Sequence, residues 1–190
     1  MKKYFYREVL NKNIVDLFDN SDNSILDTLY YDENHKYTQL DKIANFLDLE
    51  IEKKPLLSMQ SGSLENSKII VNSVHHIHRQ RFTIAHEIGH YLLQHEGTLL
   101  RTIDFDMYTD NQDYSNELEA NDFAAKLLMP LIIIENYISD FRNANNLSNE
   151  ENINGYMLEE LLSKIATNLL VSRTSLERRL NDLGILKYDE

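Results

Sequence analysis

Apolar residues in the first part of the chain recur at roughly helical spacing. Val9, Ile14, Leu17 and Phe18 form one such series and Leu40, Ile43, Ala44 and Leu47 another, so helices with polar connections are expected up to Pro55. The stretch SDNS at 21–24 breaks the first series as a turn, and residues 48–51 read as a short strand. SGS at 61–63 is expected to be another turn, leading into the clearest strand pattern in the chain, Lys68 to Asn72. Helical spacing resumes near Arg79 and continues to about Gln94, with Gly97 as a stop signal. Residues 101–114 are acidic and irregular, a loop by composition. A second strong helix follows from about Ser115 to Met129 and is stopped by Pro130. The polar, Asn-rich stretch 140–155 reads as a linker before a last helical piece, 156–190. No internal repeat is evident.

The helix from Arg79 carries the first chemistry. Its stretch RFTIAHEIGHYLLQHEG contains His86 and His90 in the order H-E-x-x-H. Four residues apart on a helix, two side chains stand about 40° apart around the axis and one turn apart along it, so both imidazoles can reach one ion. Glu87 stands beside them, where a carboxylate can take a proton from a water held by that ion. Phe82, Ala85, Gly89 and Leu92 make another side of the helix apolar, suited to packing on a core. Gly89 adjoins His90 at a position where a larger side chain would crowd a neighbouring helix.

A catalytic site of this type needs a third protein ligand. His95 does not qualify on helical geometry, since five residues beyond His90 it points about 140° away. The longer motif H-E-x-x-H-x-x-G-x-x-H also fails, with Leu93 at its glycine and Glu96 at its last histidine. The alternative is a carboxylate from the second strong helix, within ELEANDFAA at 117–125. Glu119 shares a side with Phe123 and Leu127, and a carboxylate in an apolar face costs free energy unless it is paired or coordinated. Glu117 lies nearer the expected helix start, where a carboxylate is favoured by the helix dipole alone. Glu119 is therefore the expected ligand and Glu117 the lesser candidate. The cluster Val74-His75-His76-Ile77-His78 invites a second metal site, but without a carboxylate it reads better as a solvated loop.

Composition narrows the partners. The chain has 190 residues, no cysteine and a net charge of −12. That length suits one compact domain with a small appendage. The absence of cysteine excludes disulfides and thiolate–zinc sites, leaving histidine and carboxylate ligands. The acidic surface argues against sequence-independent nucleic-acid binding, which needs a basic face. The N-terminus has lysines but no apolar leader segment, and no apolar run is long enough to span a membrane, so a cytoplasmic protein is expected.

In the C-terminal piece, Ile165-Ala166, Leu169, Val171-Ser172, Leu176 and Leu180 follow the spacing of a helix-turn-helix, with Ser172 as N-cap of the second helix. The turn position usually held by glycine falls on Leu170. Lys164, Arg173, Arg178 and Arg179 make a local basic patch against Glu177. This piece could enter a DNA major groove. Packing on the main domain, or recognition of a protein, is the favoured reading.

The motifs RQRFTIAHEIGHYLL and ELEANDFAAKLLMP together resemble the ImmA/IrrE family of metallopeptidase-like proteins. KIIVN at 68–72, QLDKIANFLDLEI at 39–51 and IATNLLVSRTSLERRLNDLGIL at 165–186 fit the same family. The resemblance implies an α+β fold: a predominantly helical zincin-like domain of the gluzincin type with a small sheet. On this reading it occupies residues 1–140, followed by a helical, helix-turn-helix-like subdomain at 156–190. Carried onto this chain, the resemblance implies His86, His90 and Glu119 on a metal, with Glu87 as general base. Zinc is the implied ion, and manganese also suits two histidines and a glutamate. The implied activity is hydrolysis of a peptide bond in a regulatory protein, such as a helix-turn-helix repressor in phage, mobile-element or stress control. Independently of the resemblance, a peptidase needs a strand to hold its substrate, and the strand at 68–72 is either that edge or, equally, an ordinary buried strand. The rival expectation is a non-proteolytic zincin-fold regulator, or half of a toxin–antitoxin-like pair, acting by protein or DNA binding.

Overall fold

A computed structural model of the protein describes residues 2–19, 25–57, 59–95, 101–102, 111–148 and 151–186. The expected turn at 21–24, the Gly97 stop and most of the acidic stretch 101–114 lie outside them. Element order is β1 (Tyr4–Phe5), α1 (Tyr6–Val9), α2 (Lys12–Phe18), a 3-10 turn (Ile25–Asp27), β2 (Tyr30–Tyr31) and α3 (Leu40–Phe46). Then come β3 (Glu50–Lys54), β4 (Gln60–Glu65), β5 (Lys68–Asn72), α4 (Ile77–Leu92), β6 (Arg101–Thr102) and α5 (Asn111–Leu128). The chain continues through α6 (Leu131–Ala144), α7 (Gly155–Leu169) and α8 (Arg173–Asp182). The fold is thus α+β, mostly helical, with one small four-stranded sheet and a two-stranded pair.

The sheet order is β3-β5-β4-β6. β5 pairs parallel with β3 and antiparallel with β4, so the strand expected at a sheet edge is an interior one. Its KIIVN sequence is buried from Ile69 to Asn72, which suits a strand covered on both faces. The SGS stretch lies inside β4 rather than in a turn. Its glycine serves close packing: a Cβ on Gly62 would come within 2.6 Å of the Thr83 side chain and 2.4 Å of the Ile70 carbonyl oxygen. Gly62 therefore lets β4 lie directly against α4. Nearby, the buried Asn72 side chain accepts from the Leu56 and Val74 amides and donates to the Gln60 carbonyl at 2.8 Å, fixing the connection between β3 and β4.

α4 packs against the sheet on one side and along α5 on another. All residues from Thr83 to His90 are buried, so it is a central helix rather than a surface helix with a solvated face. Gly89 sets the approach of α5: a Cβ there would lie 2.9 Å from the Phe123 ring. A buried polar chain ties both helices to the N-terminal part of the molecule. The Tyr31 and Thr38 hydroxyls are hydrogen-bonded at 2.7 Å, Thr38 Oγ1 donates to the Leu127 carbonyl, and Arg81 donates to the Thr38 carbonyl. The Arg81 guanidinium also lies 4.8 Å over the Tyr37 ring.

The helix that Pro130 stops ends at Leu128, and Pro130 itself caps α6, which extends to Ala144 into the stretch expected to be a linker. Beyond it, α7 and α8 meet at the expected turn. Leu170 takes a left-handed conformation there (φ 52°), and the Ser172 side chain accepts from the Ser175 amide as N-cap. Their apolar faces, including Leu161, Ile165, Leu169, Leu176 and Leu180, belong to the same buried cluster as α4, α5 and α6. Burial of that shared surface supplies the main driving force for docking the last two helices.

Candidate metal centre

His86 and His90 project from successive turns of α4, and Glu117 comes from the second turn of α5. His86 Nε2 and His90 Nε2 are 2.9 Å apart. The two oxygens of Glu117 lie 3.3 Å from His86 Nε2 and 3.1 Å from His90 Nε2. All three side chains are buried. Among the described residues, this is the one group of at least three histidine, cysteine or acidic residues whose ligand atoms converge, here within 4.8 Å of one another.

Hydrogen bonds show what this convergence is suited to hold. His86 Nδ1 lies 3.1 Å from Asn121 Oδ1 and donates to it, because the amide oxygen can only accept. A neutral imidazole with its proton on Nδ1 turns the Nε2 lone pair toward His90 and Glu117. Lone pairs then face lone pairs in a site with almost no solvent, an arrangement relieved by a cation among them. Two imidazole nitrogens and a carboxylate suit a divalent transition metal, and the outer hydrogen bond to Asn121 is the kind that orients a ligating histidine. Burial alone would raise the Glu117 carboxyl, but with no ion among them His86 and His90 can instead carry protons on Nε2, and their hydrogen bonds then hold it well below the usual carboxylate range.

Glu119, the residue expected to complete the site, does not reach it. Its side chain is exposed and lies 3.7 Å from His95 Nε2, while Glu117 stands at the two histidines. The cause is helical phase. The buried stripe of α5 runs through Glu117, Ala120, Ala124, Leu127 and Leu128, with Phe123 at its border. At 100° per residue, Glu119 falls about 40° beyond Phe123 and outside the stripe. The objection to Glu117 also lapses, because α5 starts at Asn111 rather than near Ser115 and Glu117 is not in its first turn.

His95 also sits where an uninterrupted helix would not put it. α4 ends at Leu92, and Gln94 takes a left-handed conformation (φ 55°). The His95 amide then bonds back to the His90 carbonyl and the Gln94 amide to the Tyr91 carbonyl. This is the Schellman arrangement, which lays the side chain of the second residue past the cap on the helix's third-last residue. His95 Nδ1 thereby comes within 2.9 Å of His90 Nδ1. Burial, then the charge of His90, hold the His95 imidazole below the usual histidine range.

Glu87 is 2% exposed. It follows Thr83 by one turn on the side of α4 that meets β4 at Gly62, next to the side that carries His86 and His90 and distinct from it. His76 caps α4 by accepting from the His78 amide, and the two rings meet edge to face at 4.4 Å. The histidine cluster before α4 thus contributes to the helix start.

A radiation response metalloprotease IrrE from Deinococcus deserti is 38% identical to this chain over 77 residues, 40% of this chain and 27% of that protein. A protein of the same description from Deinococcus radiodurans is 36% identical over 77 residues, 40% of this chain and 24% of its own length. The chain therefore spans about a quarter of the length of these curated relatives. The family model described as Peptidase M78, IrrE N-terminal-like domain, matches residues 44–181, from α3 through the metal centre to α8. With most of its length matched, including both helical motifs, the chain belongs to this ImmA/IrrE metallopeptidase family.

Proposed function

We propose that the chain is a metal-dependent endopeptidase in which His86, His90 and Glu117 hold a divalent ion and Glu87 is the general base. The observation that carries this reading is the buried convergence of two ligand atoms from α4 and one from α5, beside Glu87 on α4. Zinc fits the donor set first and manganese second. When bound, such an ion supplies Lewis acidity and lowers the pKa of water in the site. Glu87 takes the proton from the attacking water and, once protonated, gives it to the nitrogen of the departing amine. Asn121 keeps the His86 ring in the tautomer that points Nε2 inward. Burial keeps bulk water from competing for the Glu87 proton.

An extended substrate backbone pairs with β4 rather than β5. Among the described residues β4 has β5 along one side, and β6 pairs only with Gln60 and Gly62 on the other. Among the described residues Ser63–Glu65 has no strand on that side, which would let a peptide add there, and Gly62 holds β4 close to α4. The substrate is a regulatory protein, with a helix-turn-helix repressor as the first candidate. Recognition of protein rather than DNA is favoured at the C-terminal helices. Arg173 is paired with Glu159 and Glu177, and Arg179 is buried with its Nε 3.4 Å from the Met129 carbonyl. Of the four basic residues in the patch, Lys164 and Arg178 remain exposed.

The test is incubation of the full chain, loaded with Zn2+, with a repressor encoded beside its gene. Wild type is expected to cut that protein, and Glu87→Gln is expected to bind it without cutting. Equal cleavage by both would remove Glu87 from the mechanism. Binding without cleavage by zinc-loaded wild type would favour the non-proteolytic regulator.

A further inference from the structure

The two histidines of the metal centre differ in what stands behind them. His86 rests on a neutral amide, Asn121. Behind His90 stands a second histidine, and behind that a carboxylate: His90 Nδ1 to His95 Nδ1 is 2.9 Å, and His95 Nε2 to Glu119 Oε2 is 3.7 Å. The geometry points to His95 and Glu119 as positioning residues for the metal: Glu119 sets the tautomer of His95, and His95 in turn orients His90 with its Nε2 toward the ion. This inference rests on the metal-centre reading above.

The proton assignments follow from the groups available. Glu119 is a carboxylate that accepts only, and at 3.7 Å its charge favours a neutral His95 with its proton on Nε2 and a lone pair on Nδ1 toward His90. Behind His90, away from the ligand atoms that share an ion, a short contact between two imidazole nitrogens needs one proton between them, and His90 Nδ1 must then be the donor. A neutral His90 with its proton on Nδ1 has its lone pair on Nε2, the atom that faces Glu117 and His86. A histidine that donates to an electron-rich partner is a more basic metal ligand than one left to solvent.

The backbone supports the same assignment. His95 is brought to His90 by the left-handed turn at Gln94, a conformation disfavoured for a residue with a side chain. The His95 amide bond to the His90 carbonyl fastens the ring there, and the side chain is nearly buried, 9% exposed. Glu119 is held on a helix rather than a loop, with the Ser115 hydroxyl 3.5 Å from its Oε1. The two residues that fail as ligands are thus joined to the ligand set from outside.

The experiment is a Zn2+ titration of the full chain against a fluorescent chelator, paired with imidazole nitrogen and proton spectra of the zinc-loaded protein. His95→Ala is expected to weaken Zn2+ about 10- to 100-fold, the usual effect of losing an outer partner of a metal-bound histidine. It should also remove the slowly exchanging His90 Nδ1 proton from the spectrum. His95→Gln, whose amide oxygen can accept that proton, should restore both signals to near wild type, and Glu119→Gln should weaken Zn2+ by less than about tenfold. The inference is overturned if His95→Ala binds Zn2+ as wild type does. It is equally overturned if binding weakens while the His90 Nδ1 proton persists unchanged, since His95 would then act only through the fold. Wild type that takes up no Zn2+ would overturn the metal-centre reading itself, whereas wild-type binding with an indifferent His95→Ala would overturn this inference alone.

Discussion

Two helix pairs in this chain meet over seams of opposite character. α7 and α8 join through Leu161, Leu162, Ile165, Leu169, Leu176 and Leu180, a seam made almost wholly of aliphatic side chains. α4 and α5 join over His86, His90, Asn116 and Glu117, set among Ala85, Gly89, Ala120 and Ala124. Both seams lie in one hydrophobic cluster, so solvent exclusion is common to them. An aliphatic seam stabilises the fold through burial, whereas a seam of imidazoles and carboxylates carries a desolvation cost. Small residues in the second seam let the helices approach closely enough for the polar atoms to converge. The difference sets the α4–α5 pair apart as the candidate working centre and the α7–α8 pair as packing that supports it.

Substitutions can separate the two roles. The largest effect is expected from Glu87→Gln, which should lower the rate of substrate cleavage by about 10²- to 10⁴-fold while the chain still takes up Zn2+, by zinc-dependent proteolysis assay. In the aliphatic seam, Leu176→Ala should cost about 2–5 kcal/mol in urea unfolding while leaving the zinc stoichiometry of the folded protein unchanged. Loss of zinc from folded Leu176→Ala would show that the two seams are coupled. Gly89→Val should drive a side chain into the Phe123 ring and cost about 1–3 kcal/mol, this time with weaker zinc binding because α5 must shift. The smallest effect is expected from Ser172→Ala, about 1 kcal/mol in thermal or urea unfolding from loss of the N-cap of α8, with no change at the metal centre.

The same contrast explains what could be read from the residues alone. The pairing of His86 with His90 and the place of Gly89 follow from the 3.6-residue period, and α4 is long enough to keep that period throughout. The strand at Lys68–Asn72 and the Ser172 cap were legible because each depends on a short local pattern. Choosing Glu117 over Glu119 needed the start of α5, and the sequence offers competing cap signals for it, Thr109 and Asp110 as well as Ser115. Two residues of phase decide which carboxylate turns inward. The role of His95 was hidden because its position depends on a left-handed turn at Gln94, where no glycine announces one. Gly62 reads as a turn in the sequence because glycine signals two different needs, and here it is close approach rather than bending. The interior position of β5 required the full strand order, which no local pattern contains.

The most direct test of the central claim is zinc stoichiometry and affinity measured side by side on wild type, Glu117→Gln and Glu119→Gln. Wild type is expected to bind one Zn2+ tightly, Glu117→Gln to lose tight binding, and Glu119→Gln to retain the ion with an affinity within about tenfold of wild type. Tight binding by Glu117→Gln together with its loss in Glu119→Gln would contradict the assignment of the third ligand and, with it, the site described here.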